Sequence, residues 1–380
     1  MEIKAQLGAV FALMGAASAS LPATIPMRAN QLDIPVAQLM PGIPALFLGL
    51  FLGVAITPVV SRHLGVNNHV RQALATQALG VLGIAVLDAN YLFVLSALAL
   101  GFGFGQLEVL ITSISRVVSK QVGNLLTRLG IYLASTAFLT PIGIIALDFL
   151  DVAKGINLLI VMLSIFIIRI LNVEHFETDD QSNIKFRISN KTTYTLILAI
   201  SFYVGAETIL AGWSAVLFSE NISKNLTSAP LGTSIFWAGM TLGRAVGTYF
   251  SSKTKSTKIP ALIWSLGLSL SLITLTQVSK GNSENSFLLL FLFSIFFAGP
   301  CYGFILGFGV MLFHESMAIK SSTLFVLLGS LGGVAIPVLS QIYLGSESKN
   351  IVLGAAVAAS LSTLFLIASS REKVSKGHQS

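Results

Sequence analysis

The segment Asn172-Val-Glu-His-Phe-Glu-Thr-Asp-Asp-Gln-Ser-Asn-Ile-Lys-Phe-Arg-Ile-Ser-Asn-Lys191 is the longest polar stretch of the chain, and it lies at the middle. It carries Glu174, Glu177, Asp179, Asp180, Lys185 and Arg187, while the residues on either side are predominantly apolar. The 380-residue chain is 54% hydrophobic and only 10% charged, with a mean hydropathy of +0.83. Soluble domains carry about 25% charged residues, so the composition excludes an ordinary soluble protein. It indicates an all-α integral membrane protein with room for about twelve helices of roughly 20 residues each. Little is left for a soluble catalytic or ligand-binding domain.

Run length and polar breaks place spans near 5–26, 37–60, 72–88, 91–115, 127–147 and 155–171 before the central segment. After it they fall near 192–218, 230–250, 260–278, 287–313, 321–343 and 350–370. The expected organisation is a six-helix bundle over 1–171, a cytoplasmic linker over 172–191, a second six-helix bundle over 192–370 and a cytoplasmic tail over 371–380. The first apolar run is longer than a signal-peptide core of roughly 7 to 15 residues, so it is read as a retained span. Basic residues stay on the cytoplasmic side of short loops. With the N-terminus inside, eighteen Lys and Arg fall inside, and only Arg28, Lys154, Lys224, Lys280 and Lys349 fall outside. Both termini are therefore expected in the cytoplasm of a cell bounded by this inner, plasma membrane. The net charge of +7 follows from the same bias, which removes any reason to expect nucleic acid as a partner.

The two halves share a register. Shifted by 190 positions, Gly15-Ala16 falls on Gly205-Ala206, Gly42 on Gly232, Gly49 on Gly239, Gly53 on Gly243 and Ser61 on Ser251. Shifted by 198, Gly101 and Gly105 fall on Gly299 and Gly303, and shifted by 196, Pro141 falls on Pro337. Small-xxx-small spacings are common wherever membrane helices pack closely. Their recurrence in matching spans at nearly constant offsets indicates two parallel six-helix repeats, related by an axis along the membrane normal. Such an architecture places a solute site near the midplane and opens it to each side in turn.

Two carboxylates, Glu108 and Glu207, sit well inside the spans. An ionised group there costs roughly 2.5 to 3.5 kcal/mol on insertion scales. Glu207 is about 16 Å or more from either surface at about 1.5 Å per residue, too deep to snorkel. Desolvation favours its neutral form, which suits a group that binds and releases protons as a cavity changes sides. Tyr203 and Ser214 share its helical face. The alternative is a neutral acid hydrogen-bonded to a neighbouring helix for packing alone. Glu108 lies about 12 Å from Arg116. Gly101, Gly105, Thr112 and Ser115 form a small, polar stripe on its side that would suit a cavity wall. A structural ion pair near the inner surface remains open for it.

Phe202-Tyr-Val-Gly-Ala-Glu207, Gly212-Trp-Ser214 and Trp237-Ala-Gly-Met-Thr-Leu-Gly-Arg244 are similar to segments of the fucose and glucose/galactose proton symporters. Leu21-Pro-Ala-Thr-Ile-Pro26 and Gly101-Phe-Gly-Phe-Gly-Gln-Leu-Glu108 carry the same resemblance. With the six-plus-six layout and charged central loop, nearly the whole chain resembles the major facilitator superfamily. The resemblance implies proton-coupled alternating access, a sugar or related metabolite as solute, and a monomer as the working unit. It implies proton coupling at Glu207 and Glu108, and solute contacts at Tyr203, Trp213, Gln106 and Tyr302. The gating loop of the family usually reads Gly-x-x-x-Asp-Arg-x-Gly-Arg-Arg. Here Thr57-Pro-Val-Val-Ser-Arg-His-Leu-Gly65 keeps Arg62 and Gly65 but has Ser61 in place of the acid that helps latch the inner gate. Arg244, near the inner end of its span, is read with Arg62 and Gly65 as a gating residue, snorkelling or packing between the halves rather than touching solute.

No enzyme, cofactor or metal is expected. His63, His69, His175, His314 and His378 fall at loops or ends without ligand spacing. The glycines from Gly101 to Gly105 lie in a span rather than a strand-to-helix turn, and no Walker sequence occurs. Cys301, the single cysteine, is read as a small packing residue. The alternatives to sugar symport are a proton-coupled exporter of amphipathic compounds, and a non-transporting sensor or assembly protein with a transporter fold.

Overall fold

In lipid the backbone must satisfy its own hydrogen bonds, so apolar runs of this length fold as helices. The computed structural model describes residues 3–34, 38–39, 41–87, 89–148, 154–171, 191–218, 221–222, 230–254, 256–278, 284–345 and 347–371. The expected linker, apart from Lys191, and the tail beyond Arg371 lie outside the described residues. The helices are α1 (Ile3–Gln31), α2 (Gly42–Val86), α3 (Asn90–Val118), α4 (Val122–Asp148), α5 (Lys154–Ile170) and α6 (Lys191–Phe218). They continue as α7 (Pro230–Ser251), α8 (Lys258–Val278), α9 (Glu284–Ala298), α10 (Cys301–Val310), α11 (Ala318–Leu344) and α12 (Ser348–Arg371). Among the described residues, nine helical stretches are long and apolar enough to cross a membrane. The protein is multi-pass and all-helical.

Two expected spans are refined. The spans near 37–60 and 72–88 fall on the two arms of α2, which extend through the polar residues and meet at a kink at Gly65. Hydropathy marks where a helix leaves lipid, not where it stops. The axis turns at Gly65, where φ is 70° and ψ 158°, a conformation that glycine adopts without strain. The span near 287–313 is divided into α9 and α10 at Gly299-Pro300. Proline removes an N–H and its ring opposes the carbonyl four residues earlier, which ends α9 there.

The chain packs as two compact units. The first comprises residues 1–120, 128–184 and 314–327, and the second 121–127, 185–313 and 328–380. The first unit therefore takes the start of α11 from the second half of the sequence, and the second unit takes the first turn of α4. In the first unit, Ala17, Leu21, Val81, Ile84, Phe93, Ala97, Leu100 and Ile160 join α1, α2, α3 and α5 in one core. Arg28, at the end of α1, is buried and donates from Nη2 to the Leu87 carbonyl at 2.9 Å, tying α1 to the end of α2. In the second unit, Asn124 on the first turn of α4 donates to the Thr248 carbonyl at 3.0 Å and Ser251 Oγ at 2.6 Å. Thr363 on α12 bonds Ser265 Oγ at 2.7 Å and Ser269 Oγ at 2.8 Å on α8.

Glycines in matching register let backbones touch. A Cβ on Gly53 would lie 2.1 Å from the Phe102 carbonyl oxygen, and one on Gly243 would lie 2.0 Å from that of Phe296. A side chain at either place forces two helices apart. Gly53→Val is expected to cost about 1–3 kcal/mol or more. Gly212→Ala, whose Cβ would meet nothing within 4 Å, is expected to leave stability unchanged. Thermal unfolding of the purified variants checks the contrast, and equal melting points would contradict the backbone contact.

Candidate functional site

Three elements of the second unit converge on Glu207. Helix α6 carries Tyr203 and Glu207 one turn apart, α7 carries Arg244, and the α9–α10 break supplies two carbonyls. The break is held close to α7: a Cβ on Gly299 would lie 2.6 Å from the Met240 carbonyl oxygen, and one on Gly247 would lie 2.6 Å from Pro300 Cβ. Tyr203 donates its hydroxyl to the Ala298 carbonyl at 2.8 Å, and Arg244 Nε donates to the Gly299 carbonyl at 3.0 Å. Arg244 Nη2 stands 3.8 Å from Glu207 Oε1. Guanidinium suits this task because its donors project in a fixed fork, one toward the carbonyl and another toward the carboxylate.

The surroundings differ sharply along this chain of groups. Tyr203 is 0% exposed, whereas the Glu207 side chain retains 20% exposure. The Tyr203 and Tyr302 rings sit with centroids 6.4 Å apart, and the buried Cys301 donates from Sγ to the Phe297 carbonyl at 3.1 Å. Tyr203 thus lies behind Glu207 as a support. Trp213 stands about 9 Å further along α6 and about 120° around it from Glu207, so the two do not share a face. Trp237 packs edge-on against Phe236 at 5.3 Å, as a core aromatic does.

Arg244 overturns the snorkelling expectation. Its guanidinium is buried and turned toward Glu207 and the break rather than toward water. Position along the helix alone suggested an interfacial cation. The partner in the adjacent helix, visible only in three dimensions, reverses the direction of the side chain.

In the first unit, Glu108 is half-buried on α3, and Gln106 lies about 200° around the same helix from it. Gln106 is buried, and its Oε1 has no hydrogen-bond partner among the described residues. Such an acceptor is rare in native proteins and marks a place where a water or solute donor fits. The small stripe beside Glu108 is corrected in part. Cβ atoms on Gly101 and Gly105 would lie 1.9 Å from the Leu46 and 2.2 Å from the Leu50 carbonyl oxygens, so these glycines pack on α2 instead of lining a cavity.

The turn after Ser61 is held by a neutral pair. Ser61 Oγ and His69 Nδ1 are 2.7 Å apart across the turn at Gly65, with His69 wholly buried in α2 rather than placed in a loop. Arg62 is exposed. Elsewhere in this unit, Arg116 pairs with the exposed Glu315 at 3.2 Å. A serine eight residues before a histidine is a faint signal, legible only once the turn at Gly65 brings the two together.

No family model matches the chain, and no curated protein does so. Solved structures do match in fold. The fucose:proton symporter of E. coli aligns with a TM-score of 0.77 and 17% identity, covering 97% of this chain and 98% of that one. A proton:xylose symporter solved with 6-bromo-6-deoxy-D-glucose aligns at 0.76 and 13% identity, covering 96% and 94%. The human organic anion transporter MFSD10 aligns at 0.72 and 14% identity, covering 96% and 100%. These neighbours are transporters, not enzymes. The chain has the major facilitator fold and resembles the fucose and xylose proton symporters.

Removing one partner of a buried ion pair leaves the other uncompensated, whereas removing both does not. Arg244→Ala is expected to lower stability at neutral pH by about 3 kcal/mol. Arg244→Met combined with Glu207→Leu is expected to recover the part of that loss due to the uncompensated acid, while the Gly299 carbonyl still lacks its donor. Thermal melts of the two proteins decide it, and a double variant no more stable than Arg244→Ala would contradict the pairing.

Proposed function

We propose that this protein is a secondary active transporter that moves a small polar solute, a sugar or related metabolite, by proton-coupled alternating access. In this reading twelve spans form two parallel six-helix repeats, with α2 contributing two spans and α9 with α10 one. Residues 1–171 and 192–370 are the bundles, 172–191 the cytoplasmic linker and 371–380 the tail. The protein works as a monomer in the inner membrane with both termini cytoplasmic, in keeping with eighteen basic residues inside against five outside.

The carrying observation is Glu207, deep in α6, partly exposed and only loosely paired with Arg244 at 3.8 Å. A carboxylate sealed in a tight bidentate pair would be fixed in one charge state, whereas one that is half-compensated and reachable can take up and release a proton. Glu108 is the second proton-linked group. Gln106, with its unmet acceptor, and Tyr302 and Trp213 are solute contacts, and Tyr203 supports Glu207 from behind. Arg62, Gly65 and the Ser61–His69 bond govern the cytoplasmic loop, and Arg244 works at the acid.

A second reading, export of amphipathic compounds, is favoured by one observation: the Arg244 guanidinium beside the partly exposed Glu207 would attract an organic anion once Glu207 is protonated. The third, a non-transporting sensor, loses its main support, because a neutral bond at Ser61 replaces the missing acid.

Proteoliposomes with an imposed pH gradient separate the readings when offered labelled fucose, galactose, glucose and xylose, and labelled organic anions. The wild-type protein is expected to accumulate a sugar. Glu207→Gln is expected to abolish accumulation while leaving exchange at equilibrium partly intact. Unchanged accumulation by that variant would sink the proton assignment, and accumulation of anions alone would favour the exporter.

A further inference from the structure

We propose that the turn between α7 and α8 seats the phosphate headgroup of an acidic phospholipid, held by Lys253 and Tyr249. A lysine at the end of a span ordinarily runs out into water, and any lysine there would satisfy the charge bias that orients the chain. Lys253 takes another path. Its ammonium group folds back along α7, 4.5 Å above the Tyr249 ring centroid and 3.2 Å from the Tyr249 hydroxyl oxygen. The ring itself is 60% exposed and meets the exposed Phe250 edge-on at 5.6 Å. Exposed tyrosines at the ends of spans sit where acyl chains give way to headgroups. The cation is therefore held at headgroup height.

Two donors result. An ammonium group has three hydrogens, of which the Tyr249 oxygen takes one. That hydroxyl keeps its own hydrogen, for which no acceptor is found among the described residues. A charged donor and a neutral one thus stand 3.2 Å apart, close enough to meet two oxygens of one phosphate. The turn that presents them is already built. The Lys253 N–H donates to the Phe250 carbonyl at 3.2 Å, the Thr254 N–H to that of Ser251 at 3.0 Å, and the Lys258 N–H to Ser256 Oγ at 3.3 Å. Little ordering is left for a ligand to impose.

Charge and shape select the ligand. Lys253, Lys255 and Lys258 fall within six residues, whereas no Asp or Glu occurs between Glu220 and Glu284. Lys255 enters this count by sequence alone, since it lies outside the described residues. Elsewhere basic side chains meet acids of the protein itself, as Arg116 meets Glu315 and Lys349 meets Glu347. An acidic lipid supplies the missing sign at this height. A zwitterionic headgroup offers the same phosphate but brings a cation toward the lysines. A soluble phosphate lacks the acyl chains that would lie on Phe250 and Ile259, both exposed. From the transport reading the proposal takes only the leaflet, the cytoplasmic one, whose surface is negative.

The test uses the full chain in detergent, so it depends on neither orientation nor transport. The protein is titrated with phosphatidylglycerol or phosphatidylcholine, and bound lipid is read from native mass spectra. Wild type is expected to prefer phosphatidylglycerol. Lys253→Gln is expected to weaken that binding about five-fold, the factor for one basic residue at a negative surface. Tyr249→Phe, which keeps the ring and loses the donor, is expected to weaken it about five-fold, the factor for one net hydrogen bond. Lys120→Gln, which removes an exposed cation from a different turn, is expected to change nothing.

Equal binding of the two lipids by wild type overturns the proposal, and so does an unaltered affinity in Tyr249→Phe. A loss in Lys120→Gln as large as that in Lys253→Gln overturns it in favour of net charge alone. Displacement of the lipid by equimolar glycerol phosphate overturns it in favour of a soluble anion. Sugar accumulation is followed separately on the same protein. Its absence with the lipid preference intact rejects the transport reading and leaves the lipid seat standing; accumulation without the preference rejects the seat and leaves transport standing.

Discussion

A charged or polar group placed at membrane depth has no water to turn to, and must be answered by the protein around it. The pairing of Glu207 with Arg244, backed by two carbonyls of an interrupted helix, is how this chain meets that demand. The acid alone would be expelled or neutralised. The guanidinium alone would snorkel. The break at Gly299-Pro300 alone would leave buried carbonyls without donors. Each of the three makes the others tolerable, and the three arise on different helices, so the packing of α6, α7, α9 and α10 is fixed by the same bonds that hold the acid in place.

Glycine contacts provide the frame in which those bonds form. Gly243 brings α7 against α9, Gly299 brings the break against α7, and Gly53 does for α2 and α3 in the first unit what Gly243 does in the second. Between apolar helices in lipid there is no hydrophobic force to choose one contact over another, and backbone approach through small residues supplies the choice. The polar bonds then fix which face meets which, as Thr363 does between α12 and α8.

The sequence was most informative where composition is averaged over many residues and least where a single side chain had to choose a direction. Span positions, the central polar segment and the depth of Glu207 follow from run length and charge. The glycine register was legible too, and it predicted close packing correctly; what it could not say was which neighbour lay there, so the stripe of Gly101 and Gly105 suggested a cavity while the two residues in fact rest on α2. Arg244 looked interfacial because only its distance from the helix end was visible. His69 looked like a loop residue because helix α2 continues through polar sequence that hydropathy treats as a boundary. The Gly299-Pro300 pair carried a readable signal for a break, and its importance emerged only with the two side chains that occupy its carbonyls.

The Ser61–His69 bond has a consequence of a different kind. An acid at position 61 beside Arg62 would put full charges at a wet surface, where dissolved ions weaken attraction over a distance of about 8 Å at physiological strength. Here the same turn is closed by a hydroxyl group and an imidazole, buried from solvent. Such a clasp is indifferent to counterions, unlike the Arg116–Glu315 pair of the same unit, which brine can loosen.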